Sequence, residues 1–184
     1  MTSLVLLNGP PASGKSTIAA RLVASRPLAL NLDVDAVRSA LGAWIEQPEA
    51  SGLAARRLAL AMTSTHLAQG HDVIVPQLLA RDTFIRELAT VAGNAGARFI
   101  EVALILERDA MLAAFEARSV SPENQQHRDA HQLVEQAGGT VALIELFDRL
   151  MAFLDTRRHA RRVAPIPGDI EATLLLVESA IRQS

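Results

Sequence analysis

The chain has 184 residues, 49% of them hydrophobic, and a formal net charge of −2. That size and apolar fraction suit one compact domain with a full core and argue against a disordered chain, and the charge implies no general electrostatic pull toward nucleic acid. The absence of cysteine excludes disulfides, thiolate metal sites and thiol nucleophiles.

The opening Met1-Thr2-Ser3 carries no basic segment. The apolar run Leu4-Val5-Leu6-Leu7, stopping at Asn8-Gly9, therefore reads as a strand buried on both faces rather than a signal peptide. Residues 17–24 have helical spacing (Ile18, Leu22, Val23), and Pro27 closes the connection. Residues 28–32 form a second apolar run, followed by helical spacing over 34–41. Residues 53–67 predict a longer helix, ended by Gln69-Gly70. Residues 72–76 read as a third strand, 81–91 as a helix broken by Gly93 to Gly96, and 98–106 as a fourth strand. A helix over 110–118 precedes a polar stretch, 119–131, and after Gly138-Gly139 comes a helix over 140–154. A fifth strand over 161–166 and a last helix over 169–181 complete the chain.

Strands alternating with helices predict an α/β fold, a five-stranded parallel sheet with helices on both faces. No linker divides the chain, so residues 1–184 are expected to form one domain. The segment over about 119–139 is least like core and is the expected lid. No apolar run reaches membrane-spanning length, so a cytoplasmic protein without a membrane partner is expected.

The strongest motif is Gly9-Pro10-Pro11-Ala12-Ser13-Gly14-Lys15-Ser16, followed by Thr17. It fits G-x-x-x-x-G-K-[ST], set directly after a buried strand and before a helix, which is the context of a phosphate-binding P-loop. Glycines admit backbone shapes closed to other residues, and the loop then turns its amides inward around an anion. The helix adds the positive end of its dipole. Lys15 reaches the outer phosphates and Ser16 offers a hydroxyl to Mg²⁺. Lys15 is also the only lysine; every other Lys/Arg position is arginine. A phosphate cradle requires a compact charge on a thin stem, which a guanidinium does not supply. The expected fold is therefore a P-loop NTPase with a small lid, and the expected cofactors are ATP and Mg²⁺.

Asp33-Val34-Asp35, followed by Arg38, stands at the carboxyl end of the second predicted strand, the edge where open α/β sheets bind ligands. Phosphoryl transfer to a hydroxyl requires a carboxylate for the acceptor's proton and an oxygen near the metal. In one reading Asp33 and Asp35 divide these tasks, and Arg38, one helical turn after Asp35, clamps an anionic or hydroxylated acceptor. In the other, Asp33 caps a helix and Arg38 is a solvated charge. Gln77 ends the third strand, as either an acceptor contact or an ordinary strand-end residue. Trp44 and Leu41 read as a pocket wall or as core.

The P-loop followed by Asn31-Leu32-Asp33-Val34-Asp35-Ala36-Val37-Arg38 resembles the small P-loop kinases with an AAA-type ATP-binding domain. That group includes shikimate kinase, gluconate kinase, chloramphenicol phosphotransferase, zeta toxin and the kinase part of polynucleotide kinase. The resemblance implies Asp35 as base or acceptor-binding residue and Asp33 beside the metal, and Arg38 completes its D-x-D-x-x-R pattern; with no acid ending the third strand, more of the metal duty falls to Ser16 and Asp33. It also implies lid arginines after the fourth strand, here Arg118 and Arg128, with Arg108 a weaker third. The turn Pro165-Ile166-Pro167-Gly168-Asp169 falls where relatives pack the adenine; the other reading is an ordinary turn with a helix N-cap.

The sequence departs from that group at the third strand, which ends Val75-Pro76-Gln77 without an acid and without shikimate kinase's glycine triplet. His127 and His131 have helical ligand spacing but no third ligand, so they read as solvated lid residues. The leading expectation is an ATP-dependent kinase of a small-molecule hydroxyl, an antibiotic or a sugar-like metabolite. A nucleoside, nucleotide or polynucleotide 5′-hydroxyl kinase is the alternative, although the dense basic run, Arg157-Arg158-His159-Ala160-Arg161-Arg162, lies away from the expected cleft. A regulatory nucleotide-dependent ATPase is the third class. No nucleic-acid partner is expected.

Overall fold

The computed structural model describes residues 2–122 and 125–183. Five parallel strands, β1 (Ser3–Asn8), β2 (Leu30–Asn31), β3 (Val73–Pro76), β4 (Arg98–Leu104) and β5 (Arg161–Val163), lie in the order β2-β3-β1-β4-β5. The connecting helices are α1 (Lys15–Ala24), α2 (Val34–Ser39), α3 (Pro48–Ala68), α4 (Thr83–Asn94), α5 (Arg108–Val120), α6 (Gln125–Ala137), α7 (Gly139–Thr156) and α8 (Ile170–Arg182).

β1 is central because every one of its residues is buried, and a strand covered on both faces needs continuous hydrophobicity. Its side chains alternate between two cores. Leu4 and Leu6 join Val73 and Val75 under α3 and α4, where Ala55, Ala59, Ile85 and Leu88 pack. Val5 and Leu7 join Ile74 and Val102 under α1 and α8, through Ile18, Leu22, Val177 and Ile181. The chain leaves β1 between β3 and β4, so the carboxyl end of β1 is the point where strand order reverses. Open sheets hold their ligands at such a crevice.

Several boundaries differ from the sequence expectation, among them the fourth strand, which ends at Leu104 rather than 106, and the third helix, which starts at Pro48 rather than 53. The second strand was expected over 28–32, but Leu28 is 71% exposed with φ 57, a left-handed turn that postpones pairing to Leu30. The fifth was expected to reach 166 but ends at Val163. Pro165 and Pro167 lack the donor a ladder requires, and the Ile166 N–H goes to Thr173 Oγ1 at 2.9 Å. The polar stretch after residue 119 contains α6, which few apolar residues had announced. One face of α6 turns inward at Asp129 and Leu133, four residues apart, while its other face is solvated. Among the described residues, no helix is long and apolar enough to cross a membrane.

Candidate active site

The site is built first from backbone. Gly9 has φ 152, and a Cβ there would meet the Leu104 carbonyl oxygen at 2.6 Å. Only glycine allows β1 to turn so close to β4. Gly14 (φ 84) stands at the N-cap of α1 without a side-chain cap, leaving the first-turn amides for an anion. Between them Ala12 is held at φ 58, a left-handed conformation costly for a non-glycine residue and typical of ligand clamps.

Asn8 locks this loop to its neighbour. Its fully buried amide donates to Leu79 O and accepts from Leu79 N, both at 2.9 Å, while Gly9 N donates to its Oδ1 at 2.8 Å. The P-loop and the segment after β3 are thereby one rigid unit, although the sequence reading assigned Asn8 no role. Its signal was a polar residue ending a wholly apolar run.

Lys15 Nζ donates to Pro10 O at 2.7 Å and to Ser13 Oγ at 3.4 Å. Burial lowers its pKa from 10.5 to about 7, the nearby Arg118 charge adds to this, and Asp35 and Asp33 partly offset it. Such a lysine gains its full charge when a polyphosphate arrives.

Asp33 is the N-cap of α2; its Oδ1 accepts from Asp35 N at 2.9 Å and from Ala36 N at 3.2 Å. Its carboxyl is pushed above the usual range by burial and then by Asp35, against the pull of the two amides and Lys15. The capping reading therefore holds for one oxygen of Asp33. Asp35 is exposed to the cavity, and Gln77 Nε2 reaches its Oδ2 at 3.4 Å. Gln77 Oε1 is buried without a partner. Gln77 thus meets the carboxylate itself rather than standing as an isolated strand end.

Two cavities meet at the loop. One, of about 220 Å³, brings together Lys15, Ser16, Asp33, Asp35, Arg38 and Arg118, with Trp44, Pro76, Leu78 and Leu133 as its apolar wall. The second runs along Ser13 to Thr17 beneath Ala114, Ala117 and Arg118 of α5. A third hollow of about 350 Å³ joins Ser13 and Thr17 to Leu106, Pro165, Ile166 and Pro167. This apolar slot lies beside the loop, where the sequence resemblance put the adenine.

The expected arginines separate. Arg118 lines both loop cavities. Arg128 is exposed and lines neither. Helical geometry explains this: His127 and Asp129, on either side of it, face inward, so position 128 faces out. Arg108 pairs with Asp148 at 2.5 Å. Arg38 lines the cavity, but Nε donates to Ser51 Oγ at 3.0 Å, Nη2 donates to Pro48 O at 2.6 Å, and its guanidinium lies 5.2 Å from the Trp44 ring centroid. It braces the α2–α3 junction. The sequence reading missed Asp129, which is buried, and left His127 as a solvated residue, whereas His127 lines both cavities.

Among the described residues, no group of three histidine or acidic side chains is arranged to hold a metal. Ser16, Asp33 and Asp35 nonetheless line one cavity. That donor set fits Mg²⁺, which takes one or two protein oxygens and completes its shell with phosphates and water.

A strand, a strained glycine loop and an uncapped helix at the switch point define a P-loop nucleotide-binding fold. The chain belongs to the AAA-domain family, whose model matches residues 4–140. Among solved structures it is similar to a candidate kinase of Chloroflexus aurantiacus, with a TM-score of 0.68 and 16% identity, over 99% of this chain and 97% of that one. It is also similar to a tunicamycin resistance protein of Deinococcus radiodurans, with a TM-score of 0.59 and 18% identity, over 100% and 95% of the two chains. At such identities the likeness is one of fold. No curated protein matches the chain.

Proposed function

We propose that this protein is a kinase that moves the γ-phosphoryl group of ATP to a hydroxyl of a small molecule. The observation that carries this reading is that Lys15, Ser16, Asp35 and Arg118 share one cavity at the P-loop. The base of the nucleotide occupies the apolar slot by Pro165, and its phosphates follow the α1 amino terminus. Ser16 Oγ and, through water, Asp33 would hold Mg²⁺, which neutralises charge across the outer phosphates. The acceptor oxygen attacks the γ-phosphorus, the bond to the β–γ bridging oxygen breaks, and ADP leaves. Asp35 takes the hydroxyl proton, with Gln77 orienting its carboxylate. Lys15 and Arg118 offset the charge on the moving group. The segment 119–139, with α6 at its centre, acts as the lid.

The basic groove formed by Arg157, Arg158, Arg161 and Arg162 shares no residue with this cavity, so nothing favours a polynucleotide acceptor. A screen for phosphorylated products by mass spectrometry, with ATP, Mg²⁺ and hydroxylated metabolites, tests the proposal. Asp35→Asn is expected to lower kcat by about 10²–10⁴-fold while nucleotide affinity stays within about threefold. Hydrolysis of ATP at an equal rate with and without any acceptor would refute the kinase reading.

A further inference from the structure

We infer that His127, near the start of α6, donates a hydrogen bond to the phosphoryl group as it is transferred, at the lid position that the sequence suggested for Arg128. The inference rests on the kinase reading and adds a residue to it.

The first support is the place where the two loop cavities meet. Among the described residues they share five: Ala12, Lys15, Ser16, Arg118 and His127. A group that passes from the phosphate side to the acceptor side moves between those side chains. Ala12, Lys15 and Ser16 belong to the P-loop, Arg118 to α5 and His127 to α6. The neighbours of His127 on α6 differ from it: Asp129, Ala130 and Leu133 line the first cavity but not the phosphate channel. A phosphoryl group in transfer spreads its charge over three equatorial oxygens, and donors fixed around them stabilise it. An imidazole carries at least one N–H in either protonation state, so it can donate to such an oxygen whether neutral or charged.

The second support is packing. His127, Ala130 and Val134 stand at i, i+3 and i+7, on one face of a helix. Ala130 lines the cavity, and Val134 packs on the cluster of Met111, Phe115, Leu143 and Phe147. Ala12 of the P-loop packs on that same cluster. The Arg118 guanidinium lies 5.4 Å from the Phe115 ring centroid. One apolar cluster thus sets the loop, Arg118 and His127 relative to one another. Position 128 is turned about 100° from that face, which leaves Arg128 on the exposed side.

The test needs no acceptor. The full chain is titrated by calorimetry with Mg²⁺ and either ADP or the β,γ-imido analogue of ATP, which carries the outer phosphate. His127→Ala is expected to weaken the analogue by about tenfold or more, the size of one hydrogen bond to a charged group. ADP should stay within about twofold. His127→Gln keeps an N–H donor and should recover most of the loss. Arg128→Ala should change neither nucleotide by more than about twofold. In the unmodified chain, modification of His127 by diethyl pyrocarbonate, read by peptide mass spectrometry, should slow more with the analogue than with ADP. The exposed His159 is the internal reference, and this measurement stands even where a variant fails to fold. Equal weakening of both nucleotides, no weakening of either, or equal protection by both overturns the inference and leaves the kinase reading intact. Failure of the unmodified chain to bind either nucleotide overturns both.

Discussion

The P-loop end and the α6 end of the cleft, read above as its phosphate and acceptor ends, are built by different means. At the phosphate end the backbone does the work. Gly9 presses against the Leu104 carbonyl, Asn8 locks the loop to Leu79, and α1 starts without a side-chain cap. At the acceptor end, side chains from α2, α5, α6 and the segment after β3 converge from far apart in sequence. The α5–α7 side rests on a small cluster, Met111, Phe115, Leu143 and Phe147, separate from the two cores beneath the sheet. A pre-formed anion cradle therefore faces a wall that a few contacts hold in place. In the kinase reading the cradle fixes which group is bound, and the wall fixes what receives it.

The comparison breaks most sharply at Lys15. Lys15→Ala removes the one ammonium in the cradle and should lower kcat by about 10³-fold or more, with weaker nucleotide binding by calorimetry. Retention of wild-type turnover would show that the loop is not the phosphate site. On the wall, Arg118→Ala should cost about 10²–10³-fold in kcat. Arg128→Ala, on the outer face of α6, should change kcat by about twofold. The reverse ranking in steady-state kinetics would mean that α6 rotates on closure.

Asn8→Ala sharpens the contrast from the stability side. It leaves buried partners at Leu79 unmet and should destabilise the chain by about 1–3 kcal/mol, read by chemical denaturation. An equal loss from Arg118→Ala would erase the distinction between rigid cradle and loosely held wall.

The smallest effect is that of pH. Lys15 has a pKa of about 7 in the folded chain against 10.5 ordinarily. Between those values the unfolded chain binds more protons at this group, so the lysine's contribution to stability rises with pH across that window. A polyphosphate restores the ammonium, so nucleotide binding at pH 8 should take up a proton. Calorimetry in two buffers of different ionisation enthalpy measures this, and zero uptake would mean that Lys15 is already charged in the empty cradle.

Much of the fold was legible because its signals are local. A continuous apolar run gives a strand buried on both faces, and G-x-x-x-x-G-K-S after it gives the loop. What misled was also local. Proline at 165 and 167 and the left-handed Leu28 shortened two strands, while α6 hid in a polar stretch because only one face of it turns inward. The site divided the same way. Lys15, Ser16 and Asp35 could be named from spacing, but Arg128 could not be told from Arg118, nor could Asp129 be seen at all.

The sequence by itself determined the parallel α/β sheet and the phosphate loop, because both follow from patterns within a few residues of one another. Only the tertiary structure decided which charges face the cavity at the loop. Whether an arginine clamps a ligand or braces a helix depends on which atoms surround it, and for Arg38 those atoms, in Ser51 and Pro48, are ten or more positions away.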